Sequence, residues 1–444
     1  MGWLDKLFGR ESSSVSVPAQ PAIRFGRYSD NNKSQAKTQL WYVAEEHHKA
    51  GRANECLRNF FDYLRDEEED NVELHPVPGG YTFTVYQGST VVHGEISGSD
   101  ISARVALARM EKPSVPVMRR LLEMNYALYY SRFALDGDRL CMLFDTPRDS
   151  ASPNKLYYGL KELATKADKQ DDLLLTDFGS LQALEGSPAR PFDENERTVK
   201  YRWYAYWIDE TLERVDSLNQ DSFSGGIAYL LLSLLYRIDF LITPEGKLLN
   251  ELERLNEEYW SAQEERTAVE RNQKLREELR KLRAWPEEEV TRYFYRARAT
   301  FAITQPKPFA EVALSLRTAR ENMTWFRENK YETIALRLLE YGLTFPQYSF
   351  SLPKPLTELI LLYMQIQWPE FFRELGFDIP YRSGDTLQPA SIRNRISQIL
   401  AGMRDKYPNL SVDADRLNYG NLTDFNLSLI AAMESFNFDN TPTP

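Results

Sequence analysis

Residues Gly225 to Ile242 are apolar on nearly every side. A helix at a protein surface shows one apolar stripe, whereas a helix that is apolar all round must be wrapped by its neighbours. Its most apolar core, Ile227 to Tyr236, falls short of the roughly 18 residues that a bilayer span requires. The stretch therefore reads as the central helix of a bundle, which commits the second half of the chain to helices packed around it. At roughly 100–200 residues per domain, a 444-residue chain has room for a second unit beside that bundle.

Helical patterning runs from Glu196 to the end of the chain. Thr198 to Leu218 is rich in aromatics, with Tyr201, Trp203, Tyr204, Tyr206 and Trp207, which are expected to pack in a core or interface. Lys247 to Trp285 is long and charged, with a stripe at Leu248, Leu252, Leu255, Tyr259, Ala262, Val269, Leu275, Leu279 and Leu282. The three-four spacing is coiled-coil-like. Arg266 interrupts the seam, so a hairpin arm and a true coiled coil both remain open. Pro286 ends the arm, and further helices are expected near 287–303, 309–328, 331–342, 355–375, 390–405 and 423–436.

The first half changes period. Ser34 to Leu64 carries an apolar stripe through Leu40, Val43, Ala44, Leu57, Phe60 and Phe61, with Gly51 at a natural break. Three strands follow: Val72 to Val77, Tyr81 to Gln87 and Thr90 to Ser97. Tyr81, Phe83 and Val85 share one face of the second strand; Thr82, Thr84 and Tyr86 share the other. Pro113 and Pro116 open a helix that ends near Asn125. Tyr126 to Leu135 and Arg139 to Asp145 form a hairpin across Asp136-Gly137-Asp138. A last helix starts at Ser152-Pro153 and runs to about Leu175.

The expected fold class is α+β. An α-β-β-β-α-β-β-α domain with one antiparallel sheet occupies 36–178, and a helical domain with a long charged arm at 247–285 occupies 196–440. Residues 1–35 read as a flexible segment with a short amphipathic start at Trp3, Leu4, Leu7 and Phe8, which suits at most a weak interfacial contact. Residues 179–195, with Gly179, Gly186, Pro188 and Pro191, read as a linker.

The element order over 36–175 resembles that of type III secretion chaperones and the related YbjN-like domains. Two stretches carry the resemblance: Glu162-Leu-Ala-Thr-Lys-Ala-Asp168 in the last helix, and Leu121-Leu-Glu-Met-Asn-Tyr126 at the join from middle helix to fourth strand. It covers about a third of the chain. It implies a non-enzymatic domain that dimerises or wraps an extended client, here joined to a larger helical region. The residues themselves support the same direction. In the Tyr126–Leu135 strand, Tyr126, Leu128 and Tyr130 oppose Ala127, Tyr129 and Phe133, so both faces are apolar. A sheet with helices on one side needs only one such face, so the other is expected to hold a partner, with Tyr86 also presented to it. An edge strand adds the option of strand pairing.

Signals of chemistry are sparse. No cofactor or metal is expected. Asp168, Asp171 and Asp172 lie among Lys166 and Lys169 and read as solvated helix surface rather than a cation site. His47 and His48 are adjacent on a helix and point apart, leaving Glu45 and His48 as an incomplete pair. Neither Gly79-Gly80 nor Gly225-Gly226 has the Lys-Ser/Thr of a phosphate loop. Arg276, Arg280, Lys281, Arg283, Arg292, Arg296 and Arg298 lie among glutamates and read as members of intrahelical ion pairs. With net charge −11, nucleic-acid binding is not expected. Cys56 and Cys141 read as buried reduced thiols, and the cytoplasm as the compartment. The functional expectation is a protein-binding chaperone-like or adaptor protein, with a possible homodimer. The alternatives are an enzyme in the helical half or a scaffold that self-associates through its arm.

Overall fold

The computed structural model describes residues 20–26, 32–66, 69–184, 189–261, 265–301 and 307–438. The amphipathic start at Trp3 to Phe8 lies outside them. The α+β class holds: a six-stranded antiparallel sheet with its helices is followed by a helical region.

Two helices, α1 (Gln35–Lys49) and α2 (Ala53–Leu64), lead into the sheet. They are divided at Gly51, whose φ of +70° suits glycine far better than any other residue. The strands are β1 (Val72–Val77), β2 (Gly80–Gln87), β3 (Thr90–Ile96) and β4 (Asp100–Arg109); then, after α3 (Val115–Asn125), β5 (Ser131–Asp136) and β6 (Arg139–Pro147). The sheet order is β1-β2-β3-β4-β6-β5, which leaves β5 at an edge. Helix α4 (Pro153–Asp177) starts at a Ser152 cap and crosses the buried face.

Two features correct the sequence expectation. Strand β4 is a fourth strand before α3, alternating buried Ile101, Ala103 and Val105 with exposed Ser102 and Arg104. Its alanines and arginines make a weak strand signal by propensity, though the period is right. The second face of the sheet is not apolar. Thr84, His93, Arg104, Leu143 and Arg132 run across it in register. Arg104 pairs there with Asp136 at 3.2 Å and Arg132 with Asp145 at 2.5 Å. It is a water-facing surface that needs no cover.

The helical region comprises α5 (Glu194–Asp216), α6 (Ser224–Arg237), α7 (Gly246–Ser261), α8 (Ala268–Arg283), the short α9 (Glu287–Thr291), α10 (Phe309–Glu328), α11 (Glu332–Ser349), α12 (Lys354–Gln367), α13 (Pro369–Glu374), α14 (Pro389–Ala401) and α15 (Leu422–Glu434). Helix α6 is central, packed by α5, α7, α8 and α11. With the wider turn Ile238–Ile242 it forms a 19-residue helical stretch long and apolar enough to cross a membrane by length and composition. The protein's own helices bury 83 % of its most apolar window. At its end, Arg237 and Glu340 form a fully buried ion pair at 2.5 Å, with Trp368 stacked on the guanidinium.

Of the two readings of the charged arm, the structure has the hairpin, built of α7 and α8. Thr267 and Glu270 form a capping box that starts α8 afresh, and the chain doubles back. Arg254 meets Glu278 at 3.0 Å and the Tyr259 hydroxyl meets Asn272 at 2.9 Å, which sets the two helices antiparallel. Leu248, Leu252, Leu255, Leu275, Leu279 and Leu282 are all buried in the bundle core, so the seam faces inward.

The expected helix over 287–303 stops early, after α9. Tyr295–Phe301 leaves the bundle and enters the N-terminal unit. Gly88 donates its amide to the Ala299 carbonyl at 2.8 Å, the Phe301 amide bonds Gln87, and the Phe301 ring joins the core beneath the sheet. Most of the basic residues are also paired internally, chiefly between elements rather than within one helix. Arg276 and Arg280 pair with Asp216, Arg283 with Asp209, Arg296 with Glu196 and Arg298 with Glu73.

Candidate functional site

The turn between α3 and β5 holds the most exposed aromatics among the described residues. Helix α3 buries Val117 and Leu121. Its outer side carries Val115, Leu122 and the C-terminal cap residue Tyr126, at spacings of seven and four that place them on one face. Leu122 is 68 % exposed and Tyr126 96 %. The ridge of exposed apolar residues runs on in sequence through Tyr129, 92 % exposed, and Tyr130 in the turn.

One carboxylate fixes the turn. Glu162 of α4 accepts the amides of Tyr129 (3.0 Å), Tyr130 (3.2 Å) and Ser131 (3.1 Å) and the Ser131 hydroxyl (2.8 Å). The amides of Tyr129 and Tyr130 go to this carboxylate rather than to a neighbouring strand, and the ladder with β6 begins only at Ser131. Tyr126 to Tyr130 is therefore a turn and not the start of a strand, which corrects the sequence expectation. Asn125 completes the arrangement. Its Oδ1 accepts the Phe133 amide at 2.7 Å and its Nδ2 donates to the Phe133 carbonyl at 3.4 Å. This side chain occupies the outer edge of β5 at its centre, where an added strand would bind.

The six sequence candidates thus separate. Tyr126, Tyr129 and Tyr130 are exposed at the α3–β5 turn. Leu128 packs against the N-terminal core and Phe133 lies within it. Tyr86 is half-buried, donates to Glu73 at 3.0 Å and lies under the Arg298 guanidinium, 3.7 Å from its ring centre. The chain itself covers Tyr86. Val115 and Leu122 were not among the candidates. Their seven-residue spacing, opposite a buried face, is the signal that finds them.

The other notable cluster lies where α4 meets both the β2–β3 turn and the helical region. Asp168, Asp171 and Asp172 are half-buried there and not solvated, contrary to the sequence expectation. Asp168 accepts from Gln87 Nε2 (3.1 Å), the Ser89 amide (2.8 Å) and the Ser89 hydroxyl (3.1 Å). Asp171 accepts the Ser89 hydroxyl at 2.6 Å, and Asp172 the Tyr295 hydroxyl at 3.1 Å. Gly88 and Gly246, both at positive φ, let the backbone approach; a Cβ on either would strike a carboxylate. Burial pushes Asp168 up to about 6 against the pull of its hydrogen bonds, and pushes Asp171 up to about 8 with help from the charges of Asp172 and Asp168. Among the described residues no group of three or more His, Cys, Asp or Glu is arranged to hold a metal ion. Both cysteines are buried and free.

No protein-family model matches the chain, and no curated protein matches it.

Proposed function

We propose that the chain is a protein-binding, chaperone-like or adaptor protein that works without catalysis in the cytoplasm, and that its partner docks on the ridge along α3 and the α3–β5 turn. The carrying observation is that Val115, Leu122 and Tyr126 expose one apolar face of α3, and that Tyr129 stands exposed in the adjoining turn whose backbone Glu162 holds. Large rigid aromatics lose little conformational entropy on binding, and a preformed surface spares the cost of ordering. The partner offers apolar side chains to this ridge. Strand addition to β5 is disfavoured because Asn125 already fills that edge. A client polypeptide and a second copy of this chain both supply the required chemistry.

The resemblance to secretion chaperones belongs to this reading, with the docking surface moved from the sheet face to the helix beside its edge. The self-associating arm loses its physical basis, since its leucines are spent inside the bundle. The test is the Tyr126→Asp plus Tyr129→Asp variant. It is expected to melt like the parent chain while losing its partner or its dimer in light scattering and affinity capture. Unchanged association in a folded variant would overturn the proposal.

A further inference from the structure

The β2–β3 turn is held from two sides. On one side Ser89 meets α4: its hydroxyl lies 3.1 Å from Asp168 Oδ1 and 2.6 Å from Asp171 Oδ2, and its amide donates to Asp168 at 2.8 Å. On the other side the turn meets residues 299–301, which arrive from the helical region. Gly88 donates to the Ala299 carbonyl at 2.8 Å, and the Phe301 amide donates to Gln87 Oε1. Gln87 touches both sides, since its Nε2 donates to Asp168 at 3.1 Å. Beside Asp171, Asp172 accepts the Tyr295 hydroxyl at 3.1 Å. Three carboxyls of one helix thus fasten the sheet unit to the helical region.

The proton count at Ser89 is decisive. A hydroxyl has one proton, so it can donate to Asp168 or to Asp171 but not to both at once. With both carboxyls ionised, the remaining contact sets oxygen lone pairs face to face. With a proton on Asp171, both contacts are hydrogen bonds: Asp171 donates to Ser89 Oγ, and Ser89 donates to Asp168. Asp168 is the better seat for the negative charge, because the Ser89 amide and Gln87 Nε2 both donate to it. Burial agrees with this placement, pushing Asp168 up to about 6 and Asp171 up to about 8. The charges that face the cluster do not neutralise it. The turn, Gln87 to Thr90, brings none. On α4, Lys166 is exposed and Lys169 pairs with Glu253 of α7 at 3.5 Å. Lys247 of α7 pairs with Glu289 at 3.2 Å. Past α9, Arg296 pairs with Glu196 and Arg298 with Glu73, burial keeps Tyr293 and Tyr295 neutral, and Glu245 adds negative charge beside Tyr295.

We propose that one proton, carried by Asp171 and linked to Asp168 through Ser89, fastens the two parts of the molecule, and that its loss as pH rises above neutrality frees residues 295–301 from the sheet unit. The junction is a pH-responsive joint rather than a fixed seam. The closed joint holds this proton more tightly than the open one, so closing is strongest in acid. Closing weakens by up to about tenfold per pH unit and levels off above about 8, where the closed joint loses the proton as well. The opening is local, below the free energy of global unfolding.

The experiment follows the full chain by NMR, with aspartate labelled at its side-chain carboxyl carbon, and by amide hydrogen exchange. One carboxyl resonance should titrate near 8 and vanish in Asp171→Asn. Protection at Gly88, Ser89 and Phe301 should fall at least about tenfold between about pH 6.5 and pH 8 and then level off, while the β5–β6 hairpin keeps its protection. In Asp171→Asn, whose amide donates to Ser89 at any pH, the three amides should stay equally protected at both values. Should that variant fail to fold, the carboxyl resonance and the three amides of the parent chain decide alone. No aspartate titrating above about pH 7, the same pH response in Asp171→Asn, or protection lost evenly across the sheet would each overturn the proposal. So would a joint that added calcium or magnesium tightens, since a metal ion would then be doing the proton's work.

Discussion

Two turns of the N-terminal unit carry aromatics, and the chain treats them differently. At the β2–β3 turn, Tyr86 and the core beneath it are covered by Arg298 and Phe301, which arrive from over 200 positions away in sequence. At the α3–β5 turn, Tyr126 and Tyr129 stand bare although Glu162 spends its carboxylate on the amides of Tyr129, Tyr130 and Ser131. Covered aromatics contribute to stability. Exposed aromatics on a rigid turn contribute little to it, and rigidity without burial is what a docking surface needs.

That contrast can be broken by mutation, most forcefully on the covered side. Phe301→Ala removes a buried ring and should cost about 3–5 kcal/mol in urea unfolding. It should also raise amide exchange at Gly88, whose partner is Ala299 in the same segment. A loss under about 1 kcal/mol would mean that the segment merely rests on the sheet.

The junction carboxylates come next. Asp168 and Asp171 titrate near 6 and 8 when folded, both above the ordinary carboxyl value, because burial disfavours their charge. The folded state therefore holds protons that the unfolded chain releases. The stabilisation is complete below about pH 4 and is lost as pH rises through 6 and then 8. Asp171→Asn should flatten this slope and, at pH 8, stabilise the protein by about 2 kcal/mol, a figure reduced for the water that reaches the group. Parallel melting curves for variant and parent from pH 5 to pH 8 would contradict this.

On the uncovered side the expected effects shrink. Glu162→Ala leaves three amides without their acceptor and should cost about 1–3 kcal/mol. Hydrogen exchange should quicken at Tyr129, Tyr130 and Ser131 while β6 stays protected. Tyr129→Ala should change stability by no more than about 0.5 kcal/mol, and a larger loss would show that the ring packs on its own protein.

What was legible in the sequence follows the range of the interactions. The apolar run of α6, the Asp-Gly turn before β6 and the Ser152 cap are local signals, and each marks its element correctly. Strand β4 has the right period but residues of low strand propensity. The α3–β5 turn looked like strand because Tyr, Leu and Phe favour strands. What ends the strand is Glu162, more than 30 positions away, so no local pattern reports it. The Asp168 group looked solvated for a similar reason: its partners Ser89 and Tyr295 come from two other parts of the chain. Tyr126, Tyr129 and Tyr130 were found from their aromatic character, while Val115 and Leu122 needed the helix face to be compared with its buried side.

The most direct test of the ridge is site-specific photo-crosslinking from position 129 in the full chain within its native cell, with Tyr206 on α5, 51 % exposed, as the control position. A discrete protein adduct is expected from position 129, either a client or a second copy of this chain, that disappears with Tyr126→Asp and is missing from position 206. No adduct at 129, or the same adducts from both positions, would contradict it.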